Sequence, residues 1–79
     1  MKEEASLADL DAGQTGIVSR IYGGWGVQRR LQALGIRPGA TVTKVSAAFR
    51  PGAVVVVAGG GQTALGYGVA RKVVVEVYP

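Results

Sequence analysis

The alternation of apolar and polar residues along the chain predicts one short helix. Val27, Leu31 and Leu34 recur at i, i+4 and i+7, so that three apolar side chains share one face of a helix that runs to Leu34. Gly35 is the expected stop signal, because glycine adopts the left-handed conformation after a helix without a steric penalty. Pro38 then prevents the helix from resuming, and with the following glycine it predicts a turn into the next strand.

Short runs rich in β-branched residues predict five strands. They cover residues 15–22, 41–47, 54–57, 62–65 and 73–78. We expect the last strand to lie beside the first, and the second to bend between Val42 and Val45. Residues 6–9 and 66–70 are typical of single helical turns. Five closely spaced strands and one helix favour a small closed or nearly closed barrel, since closure protects valine-rich edges from aggregation.

The composition fits a single domain over residues 1–79 and limits its chemistry. The chain contains no cysteine and no histidine, which excludes disulfides and the thiolate or imidazole ligands of a structural zinc site. The longest uninterrupted apolar run, residues 53–58, is far shorter than the roughly 20 residues that span a bilayer. Residues 1–4 do not begin a signal peptide. We therefore expect a cytoplasmic protein without direct membrane insertion, bound cofactor or metal.

The residues that could perform catalysis are few. Glu76 is the only carboxylate beyond the first eleven residues, and its alternation with valines in a strand predicts that it faces solvent. Ser19 and Ser46 have no candidate base beside them. The glycine-rich segments 23–26 and 59–61 lack the flanking elements of phosphate-binding loops and are interpreted as turns. These observations predict a binding protein and not an enzyme.

The charge is distributed unevenly along the chain. Residues 1–11 carry one lysine and four carboxylates, a net charge of −3, whereas residues 12–79 carry eight arginines or lysines and one glutamate, a net charge of +7. This basic body serves either solubility or an acidic partner surface. Arg29 and Arg30 flank the buried face of the helix, where they form either a solvated surface or a partner contact. Trp25 either caps the apolar end of the barrel, which we favour, or stands exposed as a docking anchor.

Four motifs distributed over nearly the whole chain point to a known family. They are Ser6-Leu7-x-x-Leu10-x-x-Gly13, Gly16-Ile17-Val18, Arg30-Leu31-x-x-Leu34-Gly35-Ile36-x-Pro38-Gly39 and Leu65-x-x-x-x-Ala70-x-x-Val73-x-Val75. In these motifs and in the order of its elements the chain resembles the FeoA family of bacterial ferrous iron uptake. The resemblance implies a mainly β fold, a small SH3-like barrel of about five strands with one short α-helix inserted after the first strand.

The resemblance also implies a function in ferrous iron transport. It predicts a non-catalytic cytosolic adaptor or regulator that binds the cytosolic part of FeoB, a membrane iron transporter with a GTP-binding domain. We assign partner binding to the helix and its flanking loops, with the residues Trp25, Arg29, Arg30 and Arg37. Two alternatives remain open: a small basic barrel that binds nucleic acid, and a stand-alone relative of the SH3-like C-terminal domain of DtxR-like metal-dependent repressors. Self-association to a homo-oligomer is also left open.

Overall fold

Six antiparallel strands form one sheet in the computed structural model, which describes residues 3–46 and 52–77. The elements are β1 (Glu3–Ser6), a 3-10 turn (Leu7–Asp9), β2 (Thr15–Ile21), α1 (Trp25–Ala33), β3 (Thr41–Ser46), β4 (Ala53–Ala58), β5 (Gly61–Gly66), α2 (Tyr67–Ala70) and β6 (Val73–Val77). The strand order is β1-β6-β2-β3-β4-β5. The predicted class, a mainly β SH3-like barrel, is confirmed. The predicted ends at Ala47 and Tyr78 lie outside the described residues.

The structure has one strand more than the five expected, because the sequence pattern did not reveal β1. Residues Glu3–Ser6 pair with residues 74–77 of β6, with Glu3 opposite Val77. Glu3 and Glu4 are exposed, so that this strand lacks the apolar alternation by which the others are detected. The expected neighbours are present, since β6 also pairs with β2 and therefore lies between β1 and β2.

The stop signal of α1 has the geometry expected from the sequence. Gly35 has φ +85°, and its N–H donates to the carbonyl oxygen of Gln32 at 2.9 Å. The N–H of Ile36 donates to the carbonyl oxygen of Leu31 at 2.9 Å, which completes a Schellman motif. Ile36 and Leu31 are both buried, and the apolar contact that usually accompanies this motif explains why the chain turns back onto the core.

Two glycine turns follow the same logic. The N–H of Ala40 donates to the carbonyl oxygen of Arg37 at 2.9 Å, and Gly39 takes φ +91° in the third position of that turn, as in type II turns. Gly59 and Gly60, at φ +60° and +80°, form the two-residue loop between β4 and β5. Positive φ at both positions defines the type I′ hairpin turn, which only residues such as glycine adopt readily.

The core receives apolar side chains from all six strands and from the 3-10 turn, but little from α1. Leu31 is the one residue of α1 that is buried. Leu34 remains 39% exposed and Val27 is half-buried. The spacing predicted that Val27, Leu31 and Leu34 share one face of the helix, and of the three the structure fully buries only Leu31. The apolar stripe of α1 therefore lies partly in the core and partly at the protein surface.

A buried lysine joins the start of the chain to β3. Lys44 is 5% exposed, and its Nζ donates to the carbonyl oxygens of Ala8 at 2.8 Å and Leu10 at 2.6 Å. A buried ammonium group requires such acceptors, because desolvation without them is costly. The strand pairing between β3 and β4 shifts register between Lys44 and Ser46, so that the irregularity lies at Val45, the end of the segment Val42–Val45 in which a bend was expected.

Candidate functional site

The first turn of α1 presents the single tryptophan to solvent. The helix begins at Trp25, directly after the N-cap residue Gly24, and Trp25 is 75% exposed. The favoured interpretation of Trp25 as a cap on the barrel was therefore wrong. Gly23, with φ +123°, turns the chain between β2 and α1, while Gln28 ties the helix back by donating from Nε2 to the carbonyl oxygen of Gly23 at 3.2 Å.

Arg29 and Arg30 lie on α1 and are both exposed, as expected. They line a shallow depression together with Gly26, Val27 and Ala33. Among the described residues, neither guanidinium has a hydrogen bond or an ion pair. Trp25 and Arg29 are separated by four positions and are therefore neighbours on one face of the helix. An aromatic ring and two unpaired arginines thus share the exposed surface of α1.

Arg37 is exposed but belongs to a different part of the surface. It follows α1 and lines clefts that also contain Gly35 and Gly59. The depression formed by Arg29 and Arg30 does not include it. Of the four residues that were assigned to partner binding, Arg29 and Arg30 line one depression, Trp25 lies one helical turn before Arg29 on α1, and Arg37 lies apart from them.

The arginine of β2 is engaged within the protein, in contrast to those of α1. Arg20 forms an ion pair with Glu4, with 3.1 Å between Nη2 and Oε1. Its Nε donates to the hydroxyl of Tyr22 at 2.9 Å. The hydrogen bond with Tyr22 and the charge of Glu4 raise the pKa of Arg20 above its ordinary value.

The structure also corrects the view of Ser19 as a serine without a nearby carboxylate. Its Oγ lies 3.4 Å from Oε2 of Glu4, a proximity that the separation of fifteen positions in the sequence did not reveal. The same hydroxyl donates to the carbonyl oxygen of Val74 at 3.2 Å, and Glu4 is paired with Arg20. These contacts hold β1, β2 and β6 together.

A groove between α1 and β5 is the feature that the sequence analysis missed. It has a volume of about 410 Å³. Its residues come from α1, β5 and α2: Val27, Arg30, Leu31, Ala33, Leu34, Thr63, Ala64, Leu65, Gly66 and Val69. The apolar stripe of α1 was the available signal, but periodicity does not distinguish a side chain in the core from one in a groove beside it.

The described residues hold no cluster that is suited to a metal ion. Within residues 3–46 and 52–77, no three side chains of His, Cys, Asp or Glu type come together. In the same part of the chain, no helix is long and apolar enough to cross a membrane. The α1 surface and the groove offer apolar contacts, backbone hydrogen-bonding groups and positive charge.

A family model and several solved structures match nearly the whole chain. The model of the FeoA domain matches residues 5–77. The crystal structure of an iron uptake regulatory protein, FeoA, is 30% identical, with a TM-score of 0.85 over 95% of this chain and 99% of that one. The zinc complex of FeoA from Stenotrophomonas maltophilia, described as a prokaryotic SH3 domain protein, is 25% identical, with a TM-score of 0.76 over 90% of this chain and 88% of that one.

The same fold occurs in a transcriptional regulator. A manganese-dependent transcriptional repressor has a TM-score of 0.87 at 20% identity, and the match covers 99% of this chain but 44% of that one. This likeness concerns the fold alone. No curated protein matches the chain. The family model spans nearly all of the residues, and the FeoA structure that is 30% identical is covered over 99% of its length, so the chain belongs to the FeoA family.

Proposed function

We propose that this protein is a non-catalytic cytosolic adaptor of ferrous iron uptake, which binds the cytosolic part of an FeoB-type GTP-binding membrane iron transporter. Membership of the FeoA family supports the transport system. The relative from Stenotrophomonas maltophilia is described as a candidate activating factor for ferrous iron transport. The observation that carries the proposal is the exposed surface of α1, which presents Trp25, Arg29 and Arg30 to solvent, with Trp25 and Arg29 one helical turn apart.

The α1 surface has the composition of a docking site. Tryptophan and arginine are the residues most enriched among binding hot spots, because each combines a large contact area with a polar group. Trp25 is 75% exposed in the isolated chain, so that its apolar ring is covered only when a partner binds. The arginines have no partner among the described residues, and docking therefore breaks no internal ion pair. Arg37 contributes, in this proposal, a separate contact beyond the end of α1.

The positive charge of the protein predicts a negatively charged binding surface on the partner. Residues 12–79 carry a net charge of +7, so we expect the cytosolic domain of the transporter to present carboxylates to α1. Complementary charge of this kind accelerates association and is weakened by salt.

The test is binding to the purified cytosolic domain of the FeoB-type transporter from the same source. Arg29→Glu should reduce the affinity about tenfold, since it removes one attraction and adds one repulsion of roughly 0.5–1 kcal/mol each. Arg71→Glu is the matched control. Arg71 is exposed but lines neither the depression nor the groove. Its replacement by glutamate changes the net charge of the protein by the same amount as Arg29→Glu. Equal losses for both variants, or no binding of the unmodified protein, would contradict the proposal.

The exposed tryptophan and the arginines also suit a second function, the binding of single-stranded nucleic acid. Aromatic rings that stack on bases and arginines that contact phosphates are the usual elements of such sites. If this is the function, the affinity for an RNA oligonucleotide should fall steeply as salt rises, and Trp25→Ala should weaken it. Binding to RNA that exceeds binding to the transporter domain would favour this alternative.

A further inference from the structure

The outer edge of β5 presents backbone groups that β4 does not use. β5 is the last strand in the sheet order, and among the described residues no strand pairs with its outer edge. Ala58 and Gly61 face each other across the two-residue turn, which makes them a hydrogen-bonded pair. Because bonding alternates along an antiparallel pair, residues 63 and 65 also bond to β4. Residues 62 and 64 then direct their N–H and C=O groups outward, and Gly66 its N–H, since the carbonyl of Gly66, the N-cap of α2, accepts the first bond of that helix.

The groove lies along this edge. Four consecutive residues of β5, Thr63–Gly66, line it. Side chains of successive residues in a strand point to opposite faces, so that four consecutive residues can share one groove only along the backbone edge. The opposite wall is α1, which contributes Leu34 at 39% exposure and Val27, and Val69 of α2 also lines the groove.

The charge around the groove is positive. Arg30 is one of its lining residues, and no acidic side chain lines it. Beyond residue 11 the only carboxylate of the chain is Glu76, which lies on β6 and is separated from β5 by the three strands β2, β3 and β4. An acidic segment in the groove would therefore meet attraction from Arg30 without an opposing carboxylate among the lining residues.

We propose that the groove between β5 and α1 binds an extended acidic peptide segment of the partner by strand addition. The segment forms backbone hydrogen bonds with residues 62, 64 and 66, directs apolar side chains at alternate positions toward Leu34 and Val69, and places carboxylates near Arg30. Strand addition uses the backbone for affinity and alternate side chains for specificity. The identity of the segment as part of the transporter rests on the function proposed above, whereas the site itself rests on β5 and α1.

The direct test uses synthetic peptides. The probe is Ac-Glu-Val-Asp-Leu-Glu-Val-Asp-NH2, and two controls replace either its carboxylates by lysine or its apolar residues by serine. The acidic probe should bind at least tenfold more tightly than both controls, and salt should weaken it. Amide hydrogen exchange of the complex should slow at residues 62, 64 and 66, while residues 63 and 65 change little because β4 already protects them. Equal binding of the acidic and basic peptides, or protection without this alternation, would overturn the proposal.

Variants on the two walls of the groove provide the second test. Ala64→Pro removes an outward N–H without removing a bond to β4, and we expect at least a tenfold loss of peptide affinity. Ala64→Val keeps that N–H and should retain binding. Leu34→Gln acts on the opposite wall, at an exposed position where folding is not threatened, and should also weaken the peptide. If neither Ala64→Pro nor Leu34→Gln weakens binding, the groove is not the site.

Comparison of Arg30→Glu with Arg29→Glu separates this inference from the proposed function. Arg30 lines the groove and Arg29 does not, so peptide binding should fall about tenfold only for Arg30→Glu. If the transporter domain binds but is insensitive to Leu34→Gln and Ala64→Pro, the groove proposal fails and the adaptor function stands. If the peptide binds as described but the transporter domain does not, the adaptor function fails and the groove stands.

Discussion

Gly35, which ends α1, and Gly59, in the turn between β4 and β5, lie backbone against backbone. A Cβ atom added to Gly35 would stand 2.7 Å from the Cα of Gly59, and one added to Gly59 would stand 3.1 Å from the Cα of Gly35. Both residues have positive φ, at +85° and +60°. This contact holds the end of α1 against the β4–β5 hairpin, and it therefore sets the separation of the two walls of the groove.

We expect Gly35→Ala to destabilise the protein by about 2–5 kcal/mol. The strain of a left-handed alanine contributes about 1–2 kcal/mol and the contact with Gly59 about 1–3 kcal/mol more, as in overpacked cores. Urea denaturation measures the loss. Gly60→Ala is the control, because Gly60 has φ +80° but a Cβ there meets nothing within 4 Å, so only the strain is expected. Similar losses for both variants would show that the contact with Gly59 is unimportant.

Lys44→Met should lower the free energy of unfolding by roughly 2 kcal/mol. Methionine fills the space of the lysine stem but leaves the carbonyl oxygens of Ala8 and Leu10 without the donor that they now have, and unsatisfied buried acceptors cost about 1–3 kcal/mol. Thermal denaturation followed by circular dichroism provides the measurement. Lys72→Met, at an exposed position, should change the stability by less than about 0.5 kcal/mol. An unchanged or higher stability of Lys44→Met would contradict this account.

Two glycines outside the turns should respond to alanine with opposite signs. A Cβ on Gly16 would lie 3.0 Å from the Cβ and Cγ2 of Val75 and 3.1 Å from the carbonyl oxygen of Glu76, so Gly16→Ala should cost about 1–3 kcal/mol. Gly26 lies in α1, where a Cβ meets nothing within 4 Å, and Gly26→Ala should stabilise by about 0.5–1 kcal/mol. Chemical denaturation of both variants tests the pair, and a destabilising Gly26→Ala would be the adverse result.

The fluorescence of Trp25 should report binding directly, since the chain contains one tryptophan. In the free protein the exposed ring should be quenched efficiently by acrylamide. Addition of the transporter's cytosolic domain should shift the emission to the blue and reduce quenching, because the ring becomes buried. Trp25→Ala should leave the stability within about 0.5 kcal/mol while it reduces affinity by roughly thirtyfold or more, as at a hot spot. Binding without any change in emission would remove Trp25 from the interface.

Local sequence signals predicted most of the elements. The stripe at Val27, Leu31 and Leu34 correctly indicated α1, and Gly35 correctly indicated its end, because helical periodicity and the freedom of glycine act between neighbours in the chain. The apolar strands were predicted to within a few residues for the same reason. β1 escaped detection because its strand conformation depends on pairing with β6, more than 70 positions away for Glu3 and Val77, and not on its own alternation.

The surface was less accessible to sequence analysis than the fold. Exposure of Arg29 and Arg30 followed from their positions beside the apolar stripe. The sequence did not reveal that Arg37 lies apart from α1, that Trp25 is exposed or that Lys44 is buried. Each of these depends on which distant segment of the chain covers the residue. A lysine within a predicted strand gives no indication that two carbonyl oxygens of the 3-10 turn region surround its ammonium group.

The sequence by itself determined the helix, its stop, the glycine turns, most of the strands, and through its motifs the family of this protein. These features depend on backbone preferences and side-chain spacing within a few residues. Only the tertiary structure decided that Gly35 meets Gly59, that Lys44 holds the first turn, and that the helical stripe and the edge of β5 enclose a basic groove. Such features require segments remote in the chain to approach within a few ångströms, and local patterns carry no information about that approach.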